Sequence, residues 1–181
     1  VYDRFGLVRE RSVFAHCLHL DDTDRALLAS KRAAGAFCPT SNLFLGSGLF
    51  NLREMANAGV DVGLATDVGG GTSLSMLRTM SAAYKVLHLQ GQPLAASKAI
   101  YLATLGAARA VGLDDVIGNF ERGKEADFIV VDPTASSITA RRSRAAESID
   151  ELLFSLIFLG DDRNIVATYV DGEPAGKPGA H

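Results

Sequence analysis

An α/β fold built on a parallel sheet is the class this sequence predicts, and three observations predict it. Short apolar runs at Ser12 to Leu18, Ala36 to Pro39 and Val62 to Thr66 alternate with segments of helical spacing, which is the order of successive βα units. Each run ends in polar residues: His16 with His19, Ser41 with Asn42, and Thr66 with Asp67. The carboxyl ends of parallel strands are where α/β folds place their chemistry. The third run is followed by Val68-Gly-Gly-Gly-Thr-Ser73, where backbone without Cβ atoms is free to crowd a ligand. Read alone, the same glycines suit a plain turn opened by Asp67. Periodicity leaves open whether the sheet is open or closed into a barrel.

The elements follow in order. After the Ser12 to Leu18 strand, Asp21 or Asp22 caps a helix whose apolar side is Ala26, Leu27, Leu28 and Ala33, with Gly35 as its stop. The strand at Ala36 ends at Pro39, which cannot donate to a sheet, and Thr40 to Gly48 reads as a loop. A helix from Asn51 to Ala58 carries Leu52, Met55 and Ala56, and Gly59 ends it before the strand that leads to Asp67. Ser73 to Leu89 is the next helix, with Thr72 or Ser73 as N-cap and Leu77, Met80, Tyr84 and Leu87 on one face. Met76 and Met80 are core residues in this reading, and His88 sits at the helix end without a catalytic role. A helix from Pro93 or Leu94 runs to Thr104, and its pattern continues through Ala107 to Val111 until Gly112. From Leu113 the composition shifts to a small β element with strands at Phe128 to Val131 and Asn164 to Val170. Between them lie a solvated basic run, Arg141 to Arg144, and an apolar helix, Ile149 to Leu159. Glu173 to His181 is rich in Gly and Pro and reads as a flexible tail.

Composition narrows the function classes. A chain of 181 residues with 48% hydrophobic and 22% charged residues has the balance of a globular protein with a sizeable core. Net charge −3 offers no basic footprint, so nucleic acid and anionic membrane are excluded as partners. No apolar stretch is long enough to span a bilayer. Cys17 and Cys38 lie in apolar runs and read as reduced, buried thiols, which points to a cytoplasmic setting.

Histidine and aspartate converging at one sheet rim suit a divalent metal that acidifies a water, with a carboxylate to receive the proton. A nucleophilic Cys17 beside His16 is a poor alternative, because neighbours along a strand point to opposite faces. Two protein groups fall short of the three ligands a catalytic zinc normally takes.

Phe14-Ala-His-Cys-Leu-His-Leu20, Cys38-Pro-Thr-Ser-Asn-Leu-Phe-Leu-Gly-Ser-Gly48 and Gly63-Leu-Ala-Thr-Asp-Val-Gly-Gly-Gly-Thr-Ser73 together resemble the amidohydrolase superfamily of metal-dependent hydrolases, in its guanine-deaminating branch. Ala103 to Leu113 and Ile117 to Val131 resemble the passage from that family's barrel into its small β-sandwich. The resemblance implies the C-terminal part, strands six to eight, of a TIM-like (β/α)8 barrel plus part of a composite β-sandwich. Val13 to Cys17, Ala36 to Cys38 and Val62 to Thr66 correspond to the three strands. The implied segments are barrel at 1–112, composite β segment with an intervening helix at 113–172, and flexible tail at 173–181.

The same resemblance implies that Asp67 binds zinc and takes a proton from the attacking water. It implies that His16 orients that water in one-metal members, while in two-metal members it is itself a ligand; the first role is expected here. The remaining zinc ligands and the proton-shuttling glutamate are expected upstream of Val1, in a full-length parent, and this chain by itself is expected to be inactive. Substrate-gripping residues are not identified. The implied reaction is zinc-dependent hydrolytic deamination of guanine to xanthine and ammonia, with one zinc per site, a small purine as partner and a homodimer as one option. The alternatives are another amidohydrolase acting on an amino- or chloro-heterocycle, such as S-adenosylhomocysteine or a triazine, and a non-catalytic scaffold of the same fold.

Overall fold

The computed structural model describes residues 1–176, so the end of the expected tail, 177–181, lies outside the described residues. Three strands, β1 (Val13–Ala15), β2 (Ala34–Phe37) and β3 (Val62–Leu64), form one parallel sheet in that order. Val13 stands opposite Ala34, and Gly35 opposite Val62, so consecutive strands are neighbours linked by helical crossovers. The first crossover is α1 (Asp22–Ser30), opened by a capping box in which the Asp21 side chain accepts from the Asp24 N–H and Asp24 reaches back.

Here the structure corrects an expectation. Gly35 does not stop α1; that helix ends at Ser30, and Gly35 is the middle of β2. The reason is packing from above. A Cβ at Gly35 would lie 2.8 Å from Cε of the buried Met55, so small residues in β2 let the next helix close on the sheet.

Pro39 also does more than end a strand. It opens α2 (Pro39–Phe44), a position where the missing N–H costs nothing, so the expected loop begins as a helix. The second crossover is completed by α3 (Leu52–Asn57), whose N-cap Asn51 accepts from the Glu54 N–H, and Met55 is its core residue.

After β3 the chain passes through the glycine segment into α4 (Met76–His88). Its N-cap is Ser75, not Thr72 or Ser73; the Ser75 hydroxyl accepts from the Arg78 N–H, while Ser73 accepts from the Ser75 N–H. The helical pattern expected from Leu94 to Val111 is divided at Thr104 into α5 (Ala96–Ala103) and α6 (Leu105–Ala110). The break lets α6 lie directly on β3. A Cβ at Gly63 would be 2.8 Å from the Ala107 Cα, an approach only glycine permits. Met80, Ala83, Val86, Leu87, Ala99 and Leu102 of α4 and α5 join Phe37 and Phe50, whose rings stack at 4.4 Å, in one core.

A second sheet is antiparallel: β4 (Phe128–Val131), β5 (Ile165–Val170) and β6 (Glu173–Pro174), with Phe128 and Tyr169 paired and stacked at 4.5 Å. Glu173 and Pro174 were expected in a tail but pair with Val170 and Tyr169. Between β4 and β5, α7 (Ser137–Arg144) absorbs the basic run into its last turn, where cations complement the helix dipole and remain exposed. The apolar α8 (Ile149–Leu159) packs against α4, α5 and α7, its Phe154 and Phe158 meeting the edge of Tyr84. Among the described residues no helix is long and apolar enough to cross a membrane.

Candidate active site

His16 leaves the end of β1 with φ 70°, and its backbone N–H is donated to the Ala36 carbonyl of β2 at 3.0 Å. Asp67 leaves the end of β3 with φ 48°. Both are non-glycine residues in the left-handed region, a conformation that costs energy and that is concentrated at functional sites. The turns bring the side chains together. His16 Nε2 lies 3.7 Å from Asp67 Oδ2, with the two side chains 40% and 37% exposed, so the pair opens to solvent at the carboxyl rim of the sheet.

Behind His16 stands the start of α2. Its Nδ1 is 2.7 Å from the Oδ1 of Asn42, a residue 2% exposed, and the neighbouring Ser41 is wholly buried. Among the described residues Ser41 Oγ and Asn42 Nδ2 have no hydrogen-bond partner. The Thr40 hydroxyl donates to the Thr66 carbonyl at 3.2 Å and ties the end of β2 to the turn that carries Asp67.

Cys38, read from the sequence as a plain buried thiol, belongs to this cluster. Ligand atoms of His16, Cys38 and Asp67 all lie within 4.8 Å of one another, a donor set able to hold a metal ion. Burial pushes the Cys38 thiol up from its ordinary value; the His16 backbone N–H works against this and the Asp67 charge adds to it. Cys17 is a different case. Its sulfur donates to the Phe14 carbonyl at 3.2 Å, and burial first, with Cys38 second, pushes its pKa up to about 11, so it is no nucleophile. His19, paired with His16 by sequence, is exposed and stands outside the donor cluster, its Cε1 3.8 Å from where a Cβ at Gly48 would be.

The glycines after Asp67 have specific work. Gly71 donates to the Asp67 carbonyl at 2.5 Å, and a Cβ on it would sit 1.9 Å from the Thr66 carbonyl oxygen. A Cβ at Gly70 would sit 2.7 Å from Ser41 Oγ and 3.3 Å from Asp67 Oδ2. The two loops are therefore in contact above the sheet. Gly71→Ala is expected to force the turn apart, costing about 1–3 kcal/mol or more as an overpacked position does, and lowering Tm and activity together. Thermal unfolding of the variant checks this, and an unchanged Tm would contradict it.

The sequence profile of the Amidohydrolase family matches residues 1–175, and the chain belongs to that family. Its parallel sheet and helices are the family's TIM-barrel-like architecture. The chain is 52% identical over 172 residues to guanine deaminase of Escherichia coli strain K12, spanning 95% of this chain and 39% of that protein. It superposes on the E. coli guanine deaminase structure with a TM-score of 0.95 at 50% identity, covering 97% of this chain and 41% of that one. For guanine deaminase from C. acetobutylicum, solved with bound guanine in the active site, the values are 0.82, 30%, 96% and 41%. For an adenosine deaminase from Xanthomonas campestris with bound zinc they are 0.82, 28%, 95% and 38%. The chain spans about two fifths of the length of these relatives.

Proposed function

We propose that this chain supplies the strand-six to strand-eight side of a zinc-dependent active site that hydrolyses guanine to xanthine and ammonia in the full-length protein. The observation that carries the reading is the pair His16 Nε2 and Asp67 Oδ2, two groups at 3.7 Å on the rim of one parallel sheet. The names of the most similar relatives support the substrate. In this reading residues 1–112 belong to the barrel and 113–172 to the composite β segment, with α8 folded back onto α4 and α5. Two free thiols fit a cytoplasmic setting.

The site's chemistry fits zinc: Asp67 offers a carboxylate oxygen, and a nitrogen of His16 and the sulfur of Cys38 lie within 4.8 Å of it. Asp67 is the proposed ligand, and the other ligands, with the glutamate that moves protons, come from parts of the parent outside this chain. Zinc, when bound, acts as a Lewis acid that lowers the pKa of water. Asp67, half open to solvent, receives a proton from the water that attacks C2 of guanine. His16 holds that water through Nε2, its ring fixed from behind by Asn42. Water's oxygen stays on C2 and the amino group leaves as ammonia. The glycines at 69–71 keep side chains out of the space where the flat purine lies.

Metal removal tests the reading. Full-length protein stripped by a chelator is expected to lose guanine turnover and to regain it with about one zinc per chain, since activity depends on deprotonated ligands holding the ion. Full turnover in the stripped, metal-free protein would contradict the proposal.

A further inference from the structure

A buried amide that makes one hydrogen bond and leaves its other half without a partner calls for an explanation. Asn42 is such a group: Oδ1 is 2.7 Å from His16 Nδ1, while Nδ2 is buried and unpaired. Its place is set by the backbone. Pro39 opens α2 immediately after β2, and within that first turn the Asn42 N–H is donated to the Cys38 carbonyl at 3.0 Å. The side chain is thereby held against the imidazole from the side opposite Asp67.

The amide has two orientations, and they impose opposite states on the ring. With the carbonyl toward a neutral His16 ring, the orientation found here, Nδ1 carries the proton and Nε2 presents a lone pair. With the NH2 toward it, Nε2 would carry the proton and point a donor at the Asp67 carboxylate 3.7 Å away. The first arrangement sets two acceptors face to face, which only a cation or a proton-bearing water can bridge. The second would let the two residues satisfy each other and close the gap.

We propose that Asn42 is a positioning residue that selects the Nδ1–H tautomer of His16, so that Nε2 and Asp67 together receive water at the metal centre. The inference deepens the proposed function and rests on it for the identity of the bridging group, but not for the tautomer. Asn42 acts through His16 and touches neither substrate nor metal. Its unpaired Nδ2 fits this role, because the carbonyl is committed to the ring and the amide cannot turn to satisfy its other end.

The test is made on the zinc-loaded full-length protein labelled with 15N at histidine, comparing wild type with Asn42→Leu and Asn42→Asp. Long-range 1H–15N correlation at a pH where the ring is neutral reads the tautomer directly. Wild type is expected to show His16 protonated at Nδ1. Asn42→Leu is expected to lose that preference and to lower kcat about 10- to 100-fold, the usual range for a lost partner behind a metal-site histidine, with KM near the wild-type value. Asn42→Asp keeps an acceptor and is expected to restore the Nδ1–H form and most of the turnover. If Asn42→Leu does not fold, Asn42→Asp against Asn42→Ser carries the comparison, with Ser expected to lose the preference. Wild type protonated at Nε2, or a Leu or Ser variant with wild-type tautomer and kcat, would overturn the proposal. A wild-type protein that shows the Nδ1–H form but leaves guanine untouched would overturn the proposed function and not the tautomer assignment.

Discussion

Asp67→Asn in the full-length protein is expected to lower guanine turnover by on the order of 10³-fold or more, because it removes both a metal-binding charge and a proton acceptor. The fold is expected to survive. The Asp67 side chain is 37% exposed and faces His16 Nε2 at 3.7 Å, with Cys38 also in its cluster, so the variant changes a solvent-open rim and not the apolar core. Its φ of 48° is a conformation that asparagine adopts more readily than most residues, and the carbonyl that receives the Gly71 N–H is unchanged. The measurement is kcat at equal concentrations of folded protein, with the far-ultraviolet spectrum and Tm as controls. A folded variant with the wild-type rate would remove Asp67 from the mechanism. Zinc content measured on the same samples separates the two losses, since a variant that keeps its zinc has lost only the proton acceptor.

The parallel sheet was legible because its strands are short apolar runs bounded by turn residues, and the polar residues at their ends were legible as a rim for the same reason. Gly35 misled because a glycine after a helical pattern is usually a stop, whereas here it is the residue that admits Met55 onto the sheet. Pro39 misled in the opposite sense: it ends β2 and starts α2 in one residue. That turn of helix is what carries Ser41 and Asn42 into the site, so reading it as a loop left their burial invisible. Cys38 was hidden by its own apolar neighbours; only the sheet register, which puts the end of β2 between those of β1 and β3, brings it beside His16 and Asp67. Thr104 offers no sequence signal for a break, since the demand comes from Gly63 and Ala107, more than forty residues apart in sequence, meeting at 2.8 Å from an added Cβ. The pairing of Glu173 and Pro174 with Val170 and Tyr169 was likewise set by a partner strand and not by local propensity.

Substrate choice carries the second large effect. Ser41 Oγ is buried, and a Cβ at Gly70 would meet it at 2.7 Å and Leu45 Cδ1 at 3.5 Å, so the glycine segment after Asp67 lies close against α2 and its neighbour Leu45. Guanine offers a ring N–H, an exocyclic amine and a carbonyl oxygen along one edge; adenine has a bare ring nitrogen in place of the N–H, an amine in place of the carbonyl, and only a C–H in place of the 2-amino group. A site matched to guanine leaves its own polar groups unpaired when adenine enters, which is the situation in which binding sites reject a near-isostere by on the order of 10⁴-fold. The decisive measurement is ammonia release by the zinc-loaded full-length protein from guanine, adenine, cytosine, S-adenosylhomocysteine and melamine, assayed side by side for kcat/KM. The account predicts that guanine leads adenine and every other compound by that margin; a different leading substrate, or no ammonia from guanine, would contradict it.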